Sequence, residues 1–198
     1  MKTIYVYTGE GAYQAKDVEN FLAVFGYDYE RIHENNLSKL NQSGILIVPG
    51  GEVAAYLPAW GQAGISAIKN FVEAGGIYIG ICAGAYVAGK SYANIAGLNV
   101  IDKILERHEG QTIVDVTDNA GEKFQLIHEN GPDLSDTSAG EVVLRDNDNQ
   151  PRAIKLNVGQ GQVYLFAAHP EGSVFYRQYP QDFSGAKFFD QLLKRISV

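Results

Sequence analysis

Gly75-Gly76-Ile77-Tyr78-Ile79-Gly80-Ile81-Cys82-Ala83-Gly84-Ala85-Tyr86 is the stretch on which the fold turns. Ile77-Tyr78-Ile79 is a short apolar run behind a glycine pair, the pattern of a strand covered on both faces. The run Tyr86-Val87-Ala88 beyond it can continue as a helix. A sulfur nucleophile between strand and helix, flanked by Gly80 and Gly84, has the layout of a nucleophile elbow, in which small neighbours let a tight turn expose the reactive atom. A helix start behind Cys82 supplies free N–H groups and a positive dipole end, and both favour thiolate over thiol.

Upstream, the elements alternate. Thr3–Tyr7 is a strand ended by Gly9-Glu10-Gly11. Val18, Phe21, Leu22 and Phe25 repeat along one helical face, and Gly26 stops that helix. Tyr27–Ile32 reads as a strand, Leu37–Leu40 as a helical turn, and Ile45-Leu46-Ile47-Val48 as a buried strand ending in Pro49-Gly50-Gly51-Glu52. Val53–Trp60, with Pro58 inside it, reads as a loop before a helix carrying Ile65, Ile68, Phe71 and Val72. This order predicts an α/β fold: a mostly parallel sheet with helices on both faces. Ligands in such sheets sit beyond the carboxyl ends of the strands. The turns at Gly9–Gly11, Gly50–Glu52 and Cys82 are therefore expected to converge on one crevice.

From Ser91 the pattern changes. Leu98–Leu105, Thr112–Val116, Phe124–Ile127 and Val142–Leu144 read as strands separated by Asp-, Asn- and Gly-rich turns, an antiparallel β extension on one side of the sheet. Ala153–Asn157 and Val163–Ala167 form a further hairpin through Gly159–Gln162. Phe189, Leu192, Leu193 and Ile196 mark a last helix, with Ser184 as its N-cap. No internal repeat or linker interrupts the 198 residues, which read as one domain over 1–198.

Composition narrows the function. The net charge of −7 and the lack of any Lys/Arg cluster argue against a nucleic-acid binder. No apolar stretch is long enough to span a membrane, and the N-terminal run is too short for a signal peptide, so a cytoplasmic protein with no membrane partner is expected. The single cysteine excludes an internal disulfide and fits a reducing compartment. His33, His108 and His128 lie in polar segments without ligand spacing, so no metal and no other cofactor is expected.

Three stretches carry chemistry together. Cys82 needs a base, and His169-Pro170-Glu171, after an apolar strand, supplies an imidazole and an orienting carboxylate in one rigid turn. Gly50 and Gly51, with Ala83, leave backbone N–H groups free to face a developing oxyanion. Glu10, Glu52 and Tyr86 are the substrate-pocket candidates, Glu10 within reach of Cys82.

Pro49-Gly50-Gly51, then Gly80-Ile81-Cys82-Ala83-Gly84, then His169-Pro170-Glu171 resembles the class I glutamine amidotransferase-like superfamily over nearly the whole chain. The resemblance implies its flavodoxin-like fold, Cys82 as nucleophile, His169 as base, Glu171 as orienting acid, and Gly50 or Gly51 with Ala83 as oxyanion donors. A related branch of the superfamily places a Glu near its Cys, as Glu10 would be. Val6–Ala12, Val48–Gly51, Gly75–Tyr86 and Ala153–Leu156 further resemble the amidotransferase-like domain at the N-terminus of biotin–protein ligases. The ligase's own Gly-Arg-Gly-Arg run is absent, so biotin transfer is not implied. Glutamine-hydrolysing members usually carry Gln four residues after the Cys. Tyr86 stands there instead and cannot present the same paired amide donor and acceptor. Two readings follow. One is a cysteine amidase acting on a C–N bond of a small-molecule amide. The other is a non-catalytic module that binds a metabolite or a protein partner, with Cys82 at most a redox-sensitive thiol.

Overall fold

The computed structural model describes residues 2–135 and 140–198. Its strands are β1 (Ile4–Tyr7), β2 (Glu30–Ile32), β3 (Ile45–Val48), β4 (Ile77–Ile81), β5 (Ser91–Tyr92), β6 (Ile95–Ala96), β7 (Gln111–Asp118), β8 (Lys123–Glu129), β9 (Glu141–Asp146), β10 (Pro151–Val158) and β11 (Gly161–Phe166). Its α-helices are α1 (Ala15–Val24), α2 (Val53–Glu73), α3 (Ala83–Tyr86) and α4 (Ser184–Ile196), with a 3-10 turn at Glu34–Lys39. Apart from the small β5–β6 hairpin, the strands form one sheet in the order β2-β1-β3-β4-β11-β10-β9-β7-β8. The first five strands of that order are mutually parallel, and the rest are added antiparallel beyond β11. The expected α/β architecture with an antiparallel extension is what the chain adopts.

Strand period 2 builds the two faces of the parallel half. Ile4, Val6, Ile45, Ile47, Ile77 and Ile79 point to one side, where Val18, Phe21 and Leu22 of α1 and Phe189, Leu192 and Leu193 of α4 cover them. Tyr5, Tyr7, Leu46, Val48 and Tyr78 point to the other, under Tyr56, Leu57, Trp60, Ile68, Phe71 and Val72 of α2. Tight pairing of β3 with both β1 and β4 places the ends of all three strands at one edge. Those ends carry the loops that build the site.

Several local expectations are corrected. Val53–Trp60 is helical rather than a loop. Glu52 caps α2 by accepting the Ala54 N–H at 3.1 Å, Pro58 lies on its exposed side, and the break comes at Gly61, with φ 53°. Leu98–Leu105 holds no strand. Its carbonyls and amides instead tie back to the α3 region, as in Leu98 N–H to Val87 O at 2.8 Å and Lys90 N–H to Lys103 O at 2.8 Å. Ser184 is not the cap of α4, whose N-cap is Phe183. Its hydroxyl accepts the Gln125 N–H of β8 at 2.9 Å and so ties the helix start to the extension. Of the segment Tyr27–Ile32 only Glu30–Ile32 pairs as a strand.

The extension curls back on itself. Ile127 of β8 exchanges backbone hydrogen bonds with His169, just past β11, at 2.8 and 3.3 Å. Beneath this closure Arg152 and Asp146 form a buried pair at 2.7 Å, and Arg152 donates to His108 Nδ1 at 3.3 Å. His128, 2 % exposed, donates Nε2–H to His108 O at 3.0 Å, since a carbonyl can only accept. Burial lowers the His128 pKa below the usual imidazole value of 6.5, and the Arg152 charge lowers it further. The unfolded chain then binds the proton more readily than the native one. This contribution is intact above pH 6.5 and is lost as pH falls below it. His128→Gln keeps a donor and cannot titrate. Its unfolding free energy, measured in urea from pH 7.5 to 5.5, is expected to fall less steeply than that of the wild type.

Candidate active site

Cys82 lies at the sharp turn between β4 and α3 with φ 49° and ψ −104°, a conformation rare for a non-glycine residue. Strained backbone of this kind persists where its surroundings over-determine it. Here they do: Cys82 N–H bonds Phe166 O at 2.9 Å, Gly84 N–H bonds Pro49 O at 3.2 Å, and the Tyr78 hydroxyl grips Gly84 O at 2.6 Å. Gly80 and Gly84 are required by contact rather than by dihedral angle. A methyl group on Gly84 would strike the Val48 carbonyl, and one on Gly80 would strike the Gly84 backbone. The helix behind Cys82 is a single turn, so its dipole adds little. What it leaves is the Ala83 N–H, which donates no hydrogen bond among the described residues.

His169 and Glu171 stand at the end of β11, 1 % and 0 % exposed. His169 Nδ1–H donates to Glu171 Oε1 at 2.9 Å. Nε2, the far nitrogen, makes no hydrogen bond of ordinary geometry among the described residues, yet the Cys82 thiol lies within its electrostatic reach. Burial favours the neutral imidazole, but the Glu171 carboxylate and the Cys82 sulfur outweigh it and hold the His169 pKa well above its usual range. Glu171 is itself pushed up by burial, with His169 pulling it part of the way back. The geometry favours the proton on the imidazole side, because Nδ1 is aimed at the carboxylate.

Cys82 opens onto a cavity of about 590 Å³ whose wall includes Gly51, Glu52, Ala83 and Tyr86. Cys82, Gly51, Ala83, Glu52 and Tyr86 thus share one wall, while His169 and Glu171 are buried beside Cys82 and do not line it. Gly50 and Glu10 are not on this wall. Gly50 packs its α-carbon against the His169 ring, where a methyl group would come within 2.6 Å of Cε1. Its carbonyl accepts the Gln14 N–H at 3.1 Å. Glu10 is exposed, its N–H meets Glu34 Oε2 at 3.3 Å and its carbonyl meets the Tyr7 hydroxyl. From the same loop Tyr13 and Gln14 line the cavity, and Gly11 O accepts the Glu52 N–H at 2.9 Å. Among the described residues no hydrogen bond joins Glu10 to Cys82, and the backbone of Glu10 is spent on Tyr7 and on the 3-10 segment.

A further carboxylate on the cavity wall is Glu129, at the end of β8. Its backbone carbonyl accepts the Cys82 thiol at 3.5 Å, and its carboxylate is held by Gln14 Nε2 at 3.1 Å and Gln111 Nε2 at 3.3 Å. Tyr176 faces it, its phenol pushed up to about 12 by burial and then by that charge. Tyr86 donates its hydroxyl to Asn130 O at 2.9 Å, so its polar end is spent on the wall. Tyr92 and Arg107 complete the opposite side. Sequence reading missed Glu129 because Glu129-Asn130-Gly131-Pro132 has the composition of a plain turn. Only the curl of β8 onto β11 brings it to Cys82. No group of three or more His, Cys, Asp or Glu among the described residues is placed to hold a metal ion.

An elbow cysteine, a buried His–Glu pair and this sheet order define a class I glutamine amidotransferase-like protein. Within that class the chain belongs to the family described as biotin-protein ligase, N terminal, whose model matches residues 3–107. The matched part holds Cys82 and Gly51, whereas His169 and Glu171 lie beyond it. The chain is 27% identical over 134 residues to pyridoxal 5'-phosphate synthase subunit PdxT of Koribacter versatilis, across 64% of this chain and 67% of that one. Among solved structures it shares its fold with a glutamine amidotransferase (TM-score 0.72, 19% identity, 99% of this chain and 100% of that one). It shares it also with PurLQS from Thermotoga maritima (TM-score 0.68, 17% identity, 98% and 100%). The same fold recurs in Gan42B, a GH42 beta-galactosidase, where it matches 30% of that chain at 13% identity and a TM-score of 0.63.

Proposed function

We propose that the chain works as one amidotransferase-like domain and hydrolyses a C–N amide bond of a small molecule through a thioester on Cys82. His169 takes the thiol proton through Nε2 and returns it to the leaving nitrogen, while Glu171 keeps the imidazole oriented. The N–H groups of Gly51 and Ala83 receive the negative charge of the tetrahedral intermediate. The reading rests on one observation above all: a fully buried imidazole, oriented by a carboxylate, with its free nitrogen next to the lone cysteine at the edge of a cavity. Glutamine is not the favoured substrate, because the Tyr86 hydroxyl is already bound to Asn130 O and offers no amide-like pair. A protein partner is compatible with the relative that is named as a synthase subunit.

The contact of the Cys82 thiol with the Glu129 carbonyl favours a second reading, a binding module whose thiol stays protonated, since a carbonyl can only accept that proton. Intact-mass analysis after brief exposure to p-nitrophenyl acetate separates the two. The triad reading expects one acetyl group on wild type, released with time in water, and none on Cys82→Ala. An unmodified wild type would sink it.

A further inference from the structure

Beneath the crevice lies a tyrosine hydroxyl that no water reaches. Tyr56, on the first turns of α2, is 0 % exposed, and its hydroxyl stands 3.0 Å from Pro49 O and 3.3 Å from Gly50 O. Neither carbonyl needs it for satisfaction. Pro49 O already accepts the Gly84 N–H at 3.2 Å, and Gly50 O accepts the Gln14 N–H at 3.1 Å. What the hydroxyl adds is direction. The C=O and N–H of a planar trans peptide point opposite ways, so a Gly50 carbonyl turned toward Tyr56 turns the Gly51 N–H away from it. Gly51 lies on the Cys82 cavity wall, and its N–H donates no hydrogen bond among the described residues. The ring that carries the hydroxyl is itself locked, stacked on Trp60 at 5.6 Å and edge-on to Tyr7 at 5.4 Å.

We infer that Tyr56 is a positioning residue, whose hydroxyl holds the Pro49–Gly51 peptides so that the Gly51 N–H, together with that of Ala83, faces the oxygen that becomes negative during acyl transfer. This rests on the triad reading above and assigns a buried residue to it. Tyr56 touches no substrate and acts through the backbone alone. Donors aimed in advance at developing charge stabilise it because no reorganisation is needed during the reaction.

Two reagents on the one cysteine isolate the effect. With p-nitrophenyl acetate the sulfur bonds to the carbonyl carbon and the π pair moves onto oxygen. That pair then returns as p-nitrophenolate leaves. With iodoacetamide the S–C bond forms as iodide leaves, and no oxyanion arises. The ratio of acylation to alkylation rates therefore reads oxyanion stabilisation apart from thiol reactivity and apart from folding. Tyr56→Phe keeps every ring contact and is expected to lower acylation about tenfold or more with alkylation unchanged. Tyr7→Phe also removes a tyrosine hydroxyl and keeps its ring against Tyr56, but that hydroxyl meets Glu34 and the Glu10 carbonyl rather than Pro49 or Gly50, so it is expected to leave the ratio as it is. A Tyr56→Phe ratio equal to that of wild type overturns the inference, as does an equal loss in Tyr7→Phe. A wild type that alkylates but never acylates overturns the triad reading and this one with it. Normal wild-type acylation with an unmoved Tyr56→Phe ratio overturns this one alone.

Discussion

Exchange of His169 for alanine is expected to slow acetylation of Cys82 by about 10²–10⁴-fold at neutral pH, the range a positioned general base supplies. The reason is geometric. Among the described residues, the Cys82 thiol otherwise meets only the Glu129 carbonyl, which holds the proton in place rather than removing it. His169 Nε2 offers the alternative acceptor, and its basicity is raised because the Glu171 carboxylate lies 2.9 Å from the opposite nitrogen. Removing the imidazole leaves Glu171 buried without its partner, so the variant also loses stability. The rate is therefore read on protein shown to be folded by its far-UV spectrum. As pH rises past the ordinary thiol range, free thiolate forms without help, and the gap between wild type and variant is expected to narrow. A gap independent of pH would point to a purely structural imidazole.

The second large effect is on stability. Gly84→Ala is expected to cost about 3 kcal/mol of unfolding free energy, measured in urea, at the upper end of what overpacking a tight interior costs. The α-carbon of Gly84 rests on the Val48 carbonyl of β3, and a methyl group there would also lie 2.8 Å from Val48 C and 3.0 Å from Cγ1. None of these atoms can swing aside, because Val48 is a fully buried strand residue paired with Gly80. The relief open to the chain is to lift α3 off β3. That breaks the Gly84–Pro49 bond and the Tyr78–Gly84 bond together and carries Cys82 away from Gly51. Acetylation of the surviving folded fraction is therefore expected to fall as well. A variant as stable as wild type would show that the elbow tolerates a wider separation from β3.

Much of the parallel half is legible in the residues. Ile4-Tyr5-Val6-Tyr7, Ile45-Leu46-Ile47-Val48 and Ile77-Tyr78-Ile79 are apolar on both sides, and such runs suit only strands covered on both faces. The hairpin turns at Asp118–Gly121, Asp146–Asn149 and Gly159–Gln160 are equally plain, because Asp, Asn and Gly favour the backbone angles those turns need. Where reading failed, something distant intervened. Pro58 suggested a loop, but the Glu52 cap and burial of Tyr56, Leu57 and Trp60 hold that segment helical through it. The strand expected over Leu98–Leu105 has β propensity but no partner edge, since its amides are taken by the α3 region.

The residue order alone determined the alternation of strands and helices, the elbow around Cys82 and the His169–Glu171 turn, because each depends on neighbours within a few positions. The tertiary structure decided which groups surround the sulfur. It left Glu10 off the cavity wall, packed Gly50 against the imidazole and left Gly51 at the cavity. By closing β8 onto the end of β11 it brought Glu129 across from Cys82, 47 residues away along the chain. Those outcomes depend on sheet register and on the curl of a long extension, which are set by contacts between segments far apart and leave no mark in any short stretch.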